Sequence, residues 1–213
     1  MKVAVYSALY GGYDCPRPVD FGSTPAYLYT DDPGLVAPGW EVRVCPIPGF
    51  IPMLQAKWWK LHPHLAAPGA DASVWIDASL RPTVPDYVSR CVEALGGDDW
   101  SMMPHPWRDC IYQEAMASAQ MRRYIGVEIE QQAGYYRSLG HPEHWGLFAT
   151  GTNCRRHTPR VLQLGVDWWW ENVTRTYQDQ VSLPVLLRLA GAGIRWNTQI
   201  PWSEWWEHTP HGL

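Results

Sequence analysis

The chain has 213 residues, 46% hydrophobic and 18% charged, a composition that excludes intrinsic disorder and suffices for one sizeable core. Its formal net charge of −4 argues against a dedicated nucleic-acid binder, although a local basic strip is compatible with it. The five cysteines have no Cys-x-x-Cys and no short Cys/His spacing, which removes zinc-finger and thioredoxin chemistry and fits core thiols in a reducing compartment.

In chain order, Lys2 to Leu9 reads as a strand running into the Gly11-Gly12 turn, not as a signal peptide. Ala26 to Thr30 is a second strand stopped by Asp31-Asp32-Pro33-Gly34, and Glu41 to Cys45 a third. Leu54 to Leu65 has helical periodicity, with Leu54, Trp58, Leu61 and Leu65 on one face. Ser73 to Ile76 is a strand, Pro85 to Leu95 a helix and Trp100 to Met103 a short strand. Ile111 to Arg123 and Val127 to Leu139 read as helices parted at Gly126, and Trp145 to Arg155 as extended chain. Thr158-Pro159, an N-cap with proline at the first position, opens a helix to about Thr176. A last helix starts at Asp179 and ends near Gly191, before a short strand from Ile194 to Thr198. Strands interleaved with helices predict an α/β fold with a mostly parallel central sheet flanked by helices. No apolar run reaches membrane-spanning length, so the expectation is a soluble, cytoplasmic protein.

The segment SVWIDASLRPT, Ser73 to Thr83, delivers Asp77 at the tip of a strand, the place where open α/β sheets put ligand chemistry. The plain alternative is a carboxylate that caps the next turn. Lys57, Lys60 and His64 fall at i, i+3 and i+7 beside the apolar helix face, either a solvated stripe or a counter-charge for a diphosphate. Arg108 and Glu114 flank a helix start, where Arg108 could clamp phosphate or be ordinary surface charge. Arg155-Arg156-His157 make a basic triplet at a helix mouth, a weak anion signal. Asp179-Gln180 opens a helix either as a cap or as an acid facing a sugar. His208 and His211 are either tail decoration or imidazoles that complete an oxygen-rich metal site with Asp77. Finally, 14 Trp and 11 Tyr against 3 Phe favour wet aromatic surfaces of the kind that contact sugars or bases.

Set in order, several segments resemble the glycosyltransferase-like domain family of plant wall-polysaccharide, bacterial and phage proteins. They are YSALYGGYD (Tyr6 to Asp14), YTDD (Tyr29 to Asp32), AKWWKLHPHL (Ala56 to Leu65) and SVWIDASL (Ser73 to Leu80). HPWRDCIYQEA (His105 to Ala115), YYRSLGHPEHWGL (Tyr135 to Leu147), CRRHTP (Cys154 to Pro159) and YQDQVSLP (Tyr177 to Pro184) continue the series, so the resemblance spans residues 3–184.

The resemblance implies a single GT-A-like (Rossmann-like) domain over residues 1–213, with a nucleotide-binding half to about residue 105 and an acceptor and catalytic half after it. It implies a nucleotide-sugar donor, UDP-linked, and a divalent cation, Mn or Mg. Tyr6, Ala8, Tyr10 and Asp31 would meet the nucleoside, and Lys57, Lys60 and Arg108 the diphosphate. Asp77, His208 and His211 would hold the metal, while Asp179 beside Gln180 would orient the donor or act as base. Glu114, Arg155 and Arg156 would face the acceptor, which is a protein, a glycan or a hydroxymethylated DNA base. One departure matters: GT-A enzymes commonly carry Asp-x-Asp, and here Ser79 stands in the third position, so metal dependence is open. The rival expectation is a non-catalytic carbohydrate- or nucleotide-binding module with a degraded metal site.

Overall fold

The computed structural model describes residues 1–208. It has a seven-stranded sheet built from β1 (Val3–Leu9), β2 (Ala26–Thr30), β3 (Glu41–Val44), β4 (Ala72–Ile76), β6 (Trp100–Pro104), β7 (Phe148–Arg156) and β8 (Trp196–Asn197). The order is β3-β2-β1-β4-β7-β6-β8. All neighbours run parallel except β7, which lies antiparallel to both β4 and β6. The expected mostly parallel α/β sheet is present. β1 and β4 are buried on both faces, and their sequences read as continuous apolar or small runs rather than as alternation.

Helices cover one face: α1 (Pro52–Leu61), α2 (Pro63–Ala66), α6 (Pro159–Thr174) and α7 (Asp179–Ala190), with α4 (Ile111–Ala119) and α5 (Ile129–Ser138) packed beyond α7. The other face carries α3 (Tyr87–Leu95), whose Tyr87, Cys91 and Leu95 close over Val5, Val74 and Cys154. Beyond α3, loop side chains such as Leu35, Ala37 and Trp40 cover β1 and β2 instead of a helix. The helix expected to run to Leu65 ends at Leu61, because Pro63 pushes His62 out of the helical region (φ −114°, ψ 68°). α6 starts as its sequence implies: the Thr158 hydroxyl accepts the Val161 N–H, and Pro159 sits in the first turn. Val161, Leu164 and Trp168 then form its buried stripe, each such side chain contributing roughly 1.5–3 kcal/mol on burial. Gly165 lets α6 touch α1, since a Cβ there would stand 2.3 Å from the Leu61 carbonyl oxygen.

A second, two-stranded sheet pairs β5 (Leu80–Pro82) with β9 (Trp206–His208). The sequence shows no strand signal at either place. The pairing carries His208 opposite Leu80, so the chain end up to His208 is docked next to the Asp77 turn. No helix among the described residues is long and apolar enough to cross a membrane.

Candidate active site

The chain runs β1, β2, β3 to one side and then returns to place β4 on the other side of β1. The reversal leaves a crevice at the carboxyl ends of β1 and β4, the topological switch point where open α/β sheets bind ligands. A cavity of about 290 Å³ occupies it, lined by Ala8, Tyr10 and Gly11 after β1, by Lys57 and Lys60 on α1, and by Asp77 and Ser79 after β4. Gly11 has a left-handed φ of +67°, and a Cβ there would stand 2.9 Å from Pro52. Only glycine lets this turn approach the start of α1 so closely. Asp31 holds the turn, its carboxylate accepting the Gly11 N–H at 3.0 Å.

The floor of the site is a charge cluster. Asp179, the first residue of α7, is buried and lies 2.5 Å from the Lys57 ammonium and 2.8 Å from that of Lys60. Lys60 also reaches the Thr150 hydroxyl at 3.2 Å and Asp77 Oδ1 at 3.5 Å. Burial works against the charge of all three groups. For Asp179 the two ammoniums outweigh it and hold the carboxyl well below its usual range. For Lys60, burial is outweighed by Asp179 and Asp77, and the ammonium is raised. For Lys57 burial wins, and the ammonium is pushed down to about 8. The helix N-terminus adds a favourable dipole for Asp179. Trp168, fully buried, donates its indole N–H to the Asp179 carbonyl oxygen (3.2 Å) and the Ser182 hydroxyl (3.0 Å), which fixes this end of α7.

Asp77 is the more open carboxylate, its side chain 39% exposed. Its Oδ1 accepts the Trp75 indole N–H at 2.7 Å, and its backbone N–H donates to the Gly151 carbonyl at 2.7 Å. The latter contact continues the β4–β7 ladder past Ile76, while on the other side of β7 the register against β6 shifts between Met102 and Met103, which leaves Thr150 and Gly151 without a β6 partner beside the site. A second cavity, of about 240 Å³, continues from the first past Asp77 and Ser79 to Asp179, Gln180 and His208. A third, of about 440 Å³, continues past Gln180 and His208 to Arg108 and Glu114. Arg123, in the short turn Arg122–Tyr124, lines all three.

Ala8, Tyr10, Lys57, Lys60, Asp77, Asp179, Gln180 and His208 therefore come together along one path, as the sequence anticipates. Other expectations need correction. Tyr6 is fully buried beneath α1, its hydroxyl donating to the Lys60 carbonyl at 3.0 Å, and it lines none of these cavities. Asp31 shapes the glycine turn and does not line the first cavity. Arg108 is tied to Glu114 at 2.7 Å in the third cavity, away from the first, because the buried Glu114 needs a cation. Arg155 is wholly buried, its guanidinium against the Tyr6 hydroxyl, the Lys60 carbonyl and the Trp100 ring. Arg156 pairs with Ala72, at the end of β4 opposite to Asp77, and donates to the Asp98 and Gly96 carbonyls. Neither of these two arginines can reach an acceptor at the site. His211 lies outside the described residues. Sequence reasoning missed Thr150 and Trp202. The bulge that presents Thr150 leaves no local signature.

The donor set for a divalent cation is small. Asp77 and His208 line the second cavity together, but among the described residues no group of three or more His, Cys, Asp or Glu assembles. The pair fits a cation that draws its remaining ligands from phosphate oxygens.

A parallel-rich α/β sheet with its cavities at the switch point defines the class: an open, Rossmann-like α/β ligand-binding fold. Among solved structures it is similar to the crystal structure of mouse xyloside xylosyltransferase 1 in its apo form, with a TM-score of 0.51 and 8% identity over 93% of this chain and 85% of that one. No curated protein matches the sequence. The sequence matches the TOD1/MUCI70, glycosyltransferase-like domain family over residues 51–200, and the chain belongs to that family. The match covers both lysines, Asp77 and Asp179, while the Gly11-Gly12 turn and the YTDD segment lie before it.

Proposed function

We propose that the protein transfers a sugar from a nucleoside diphosphate donor, UDP-linked, to an acceptor hydroxyl. The observation that carries this reading is the Lys57–Asp179–Lys60 cluster beside Asp77, at the meeting of two cavities at the switch point. The nucleoside would enter the cavity walled by Ala8, Tyr10 and Trp75, with its diphosphate directed at the two ammoniums. As the glycosidic bond breaks, negative charge builds on the leaving diphosphate. Preorganised cations in a partly desolvated site stabilise that charge without reorganising. Lys57, Lys60 and Arg123 are the chain's contribution to this task. A divalent cation, Mn or Mg, would be held by Asp77 and His208 and would add Lewis-acid stabilisation of the same oxygens.

Asp179 is a poor general base in this arrangement, because both ammoniums stabilise its charged form. Its role in this reading is to orient the lysines, and Gln180, which lines both the second and third cavities, is an uncharged polar group on the path from donor to acceptor. The test is a screen of nucleotide sugars by thermal shift and donor hydrolysis, with and without Mn²⁺, on the wild type and on Asp77→Asn. Stabilisation by one donor and hydrolysis that Asp77→Asn abolishes are the expected results. Donor binding with no hydrolysis or transfer in any condition would instead mark a binding module, and no shift with any donor would end the proposal.

A further inference from the structure

The fourteen tryptophans divide by environment. Trp75, Trp100, Trp168, Trp169 and Trp206 are core residues, whereas Trp107 is 73% exposed and Trp202 37% exposed. These two come from distant parts of the chain and meet with ring centroids 5.6 Å apart at 66°, forming a corner on the wall of the third cavity. Trp107 is not on a slack loop. His105 Nδ1 accepts the backbone N–H groups of both Trp107 (3.3 Å) and Arg108 (3.1 Å), and Arg108 is anchored on Glu114. A rigid turn therefore holds a large flat apolar face in water, which gains nothing in the free protein and is the usual form of a binding anchor.

We infer that Trp107 and Trp202 form the acceptor subsite, and that its occupant is an uncharged saccharide whose ring lies on the indoles with a hydroxyl pointed at Gln180. The inference rests on the transferase reading above and adds the acceptor's chemical class. Three observations support a glycan. The third cavity is continuous with the second through Gln180 and His208, so a ring on the indoles has a direct route to the donor site. Polar groups suited to sugar hydroxyls, Gln180, Glu114 and Arg108, line the same cavity as the indoles. The surroundings are only weakly basic. Of the two arginines lining the cavity, Arg108 is neutralised by Glu114 and Arg123 is left, while the segments carrying the indoles add Asp109, Glu204 and Glu207. The Arg155-Arg156 pair that could have tracked a phosphate backbone is buried or at the opposite end of β4. A nucleic acid needs cations along its path.

The test titrates hexasaccharides of β-1,4-linked glucose, β-1,4-linked xylose and α-1,4-linked glucose into the full chain, following indole N–H signals by NMR. UDP binding is measured in parallel by calorimetry. At least one oligosaccharide should shift the Trp107 and Trp202 signals. Trp107→Ala should weaken it about tenfold or more, the size expected for a central aromatic anchor, and leave UDP affinity unchanged. Trp170→Ala, which removes an exposed indole on α6, should change neither. If UDP binds but no saccharide moves these indoles, or if a hydroxymethylated DNA duplex or a peptide binds through Trp107 instead, the glycan subsite is wrong and the donor reading stands. Saccharide binding without any nucleotide binding would keep the subsite and remove the transferase.

Discussion

Two basic pairs, Lys57/Lys60 and Arg155/Arg156, look alike in the sequence and do opposite things in the fold. The lysines lie on α1 above the carboxyl ends of β1 and β4, share the buried Asp179 and open onto a cavity. The arginines lie on β7, which runs antiparallel to β4, so its carboxyl end points away from the site. One arginine is consumed as core packing and the other ties down main-chain carbonyls. Charge at a helix or strand junction is thus no guide to an anion site until strand direction is known. The lysine pair is placed to meet a ligand, because it has an acid to hold it and open space in front of it.

The sharpest way to break that contrast is to remove the acid. Asp179→Ala leaves two buried ammoniums without their carboxylate and should cost about 3–5 kcal/mol of stability. Arg156→Ala should cost about 1 kcal/mol or less, since it loses hydrogen bonds of a partly exposed group. Thermal and urea unfolding would compare them, and equal costs would mean that the lysines do not depend on Asp179 for their counter-charge. Next in size, Lys60→Met should weaken UDP binding by about 2–3 kcal/mol, the scale of a charge-assisted contact in a desolvated site. Arg156→Ala should leave it unchanged.

A smaller effect is the pH dependence. Burial pushes the Lys57 ammonium down to about 8, and a bound diphosphate favours its charged form, so binding raises that value. Once the terminal phosphate of UDP is fully ionised, above about pH 7, affinity for UDP should fall as pH rises through 8, by up to a factor of ten per pH unit. Lys57→Met should bind weakly at every pH and lose this dependence. An affinity that rises above pH 8 would contradict the assignment. Smallest of all, Gly11→Ala should cost about 1–2 kcal/mol, from the positive φ and the approach to Pro52, and should loosen donor binding through the displaced turn.

Much of this was legible in the sequence, for identifiable reasons. The strand ending in Asp77, the capped start of α6 and the lysine spacing on α1 are local patterns, and local patterns survive into the fold. Helix α1 ended early because Pro63 overrides the apolar periodicity that continues to Leu65. Tyr6 was misplaced because β1 is buried on both faces, so a tyrosine there carries no mark of which side is pocket and which is core. Strand order and the direction of β7 are non-local, and with them the fates of Arg155 and Arg156 were out of reach. The β5–β9 pairing, which brings His208 to the site, joins segments more than a hundred residues apart and has no periodic signal.

The central claim is that the two lysines, held by Asp179, receive the diphosphate of a nucleotide-sugar donor. Calorimetric titration of UDP into the wild type, Lys60→Met and Arg156→Ala tests it most directly. The account predicts one-to-one binding that Lys60→Met weakens at least about thirtyfold and Arg156→Ala leaves intact. Equal affinity in all three proteins would contradict it.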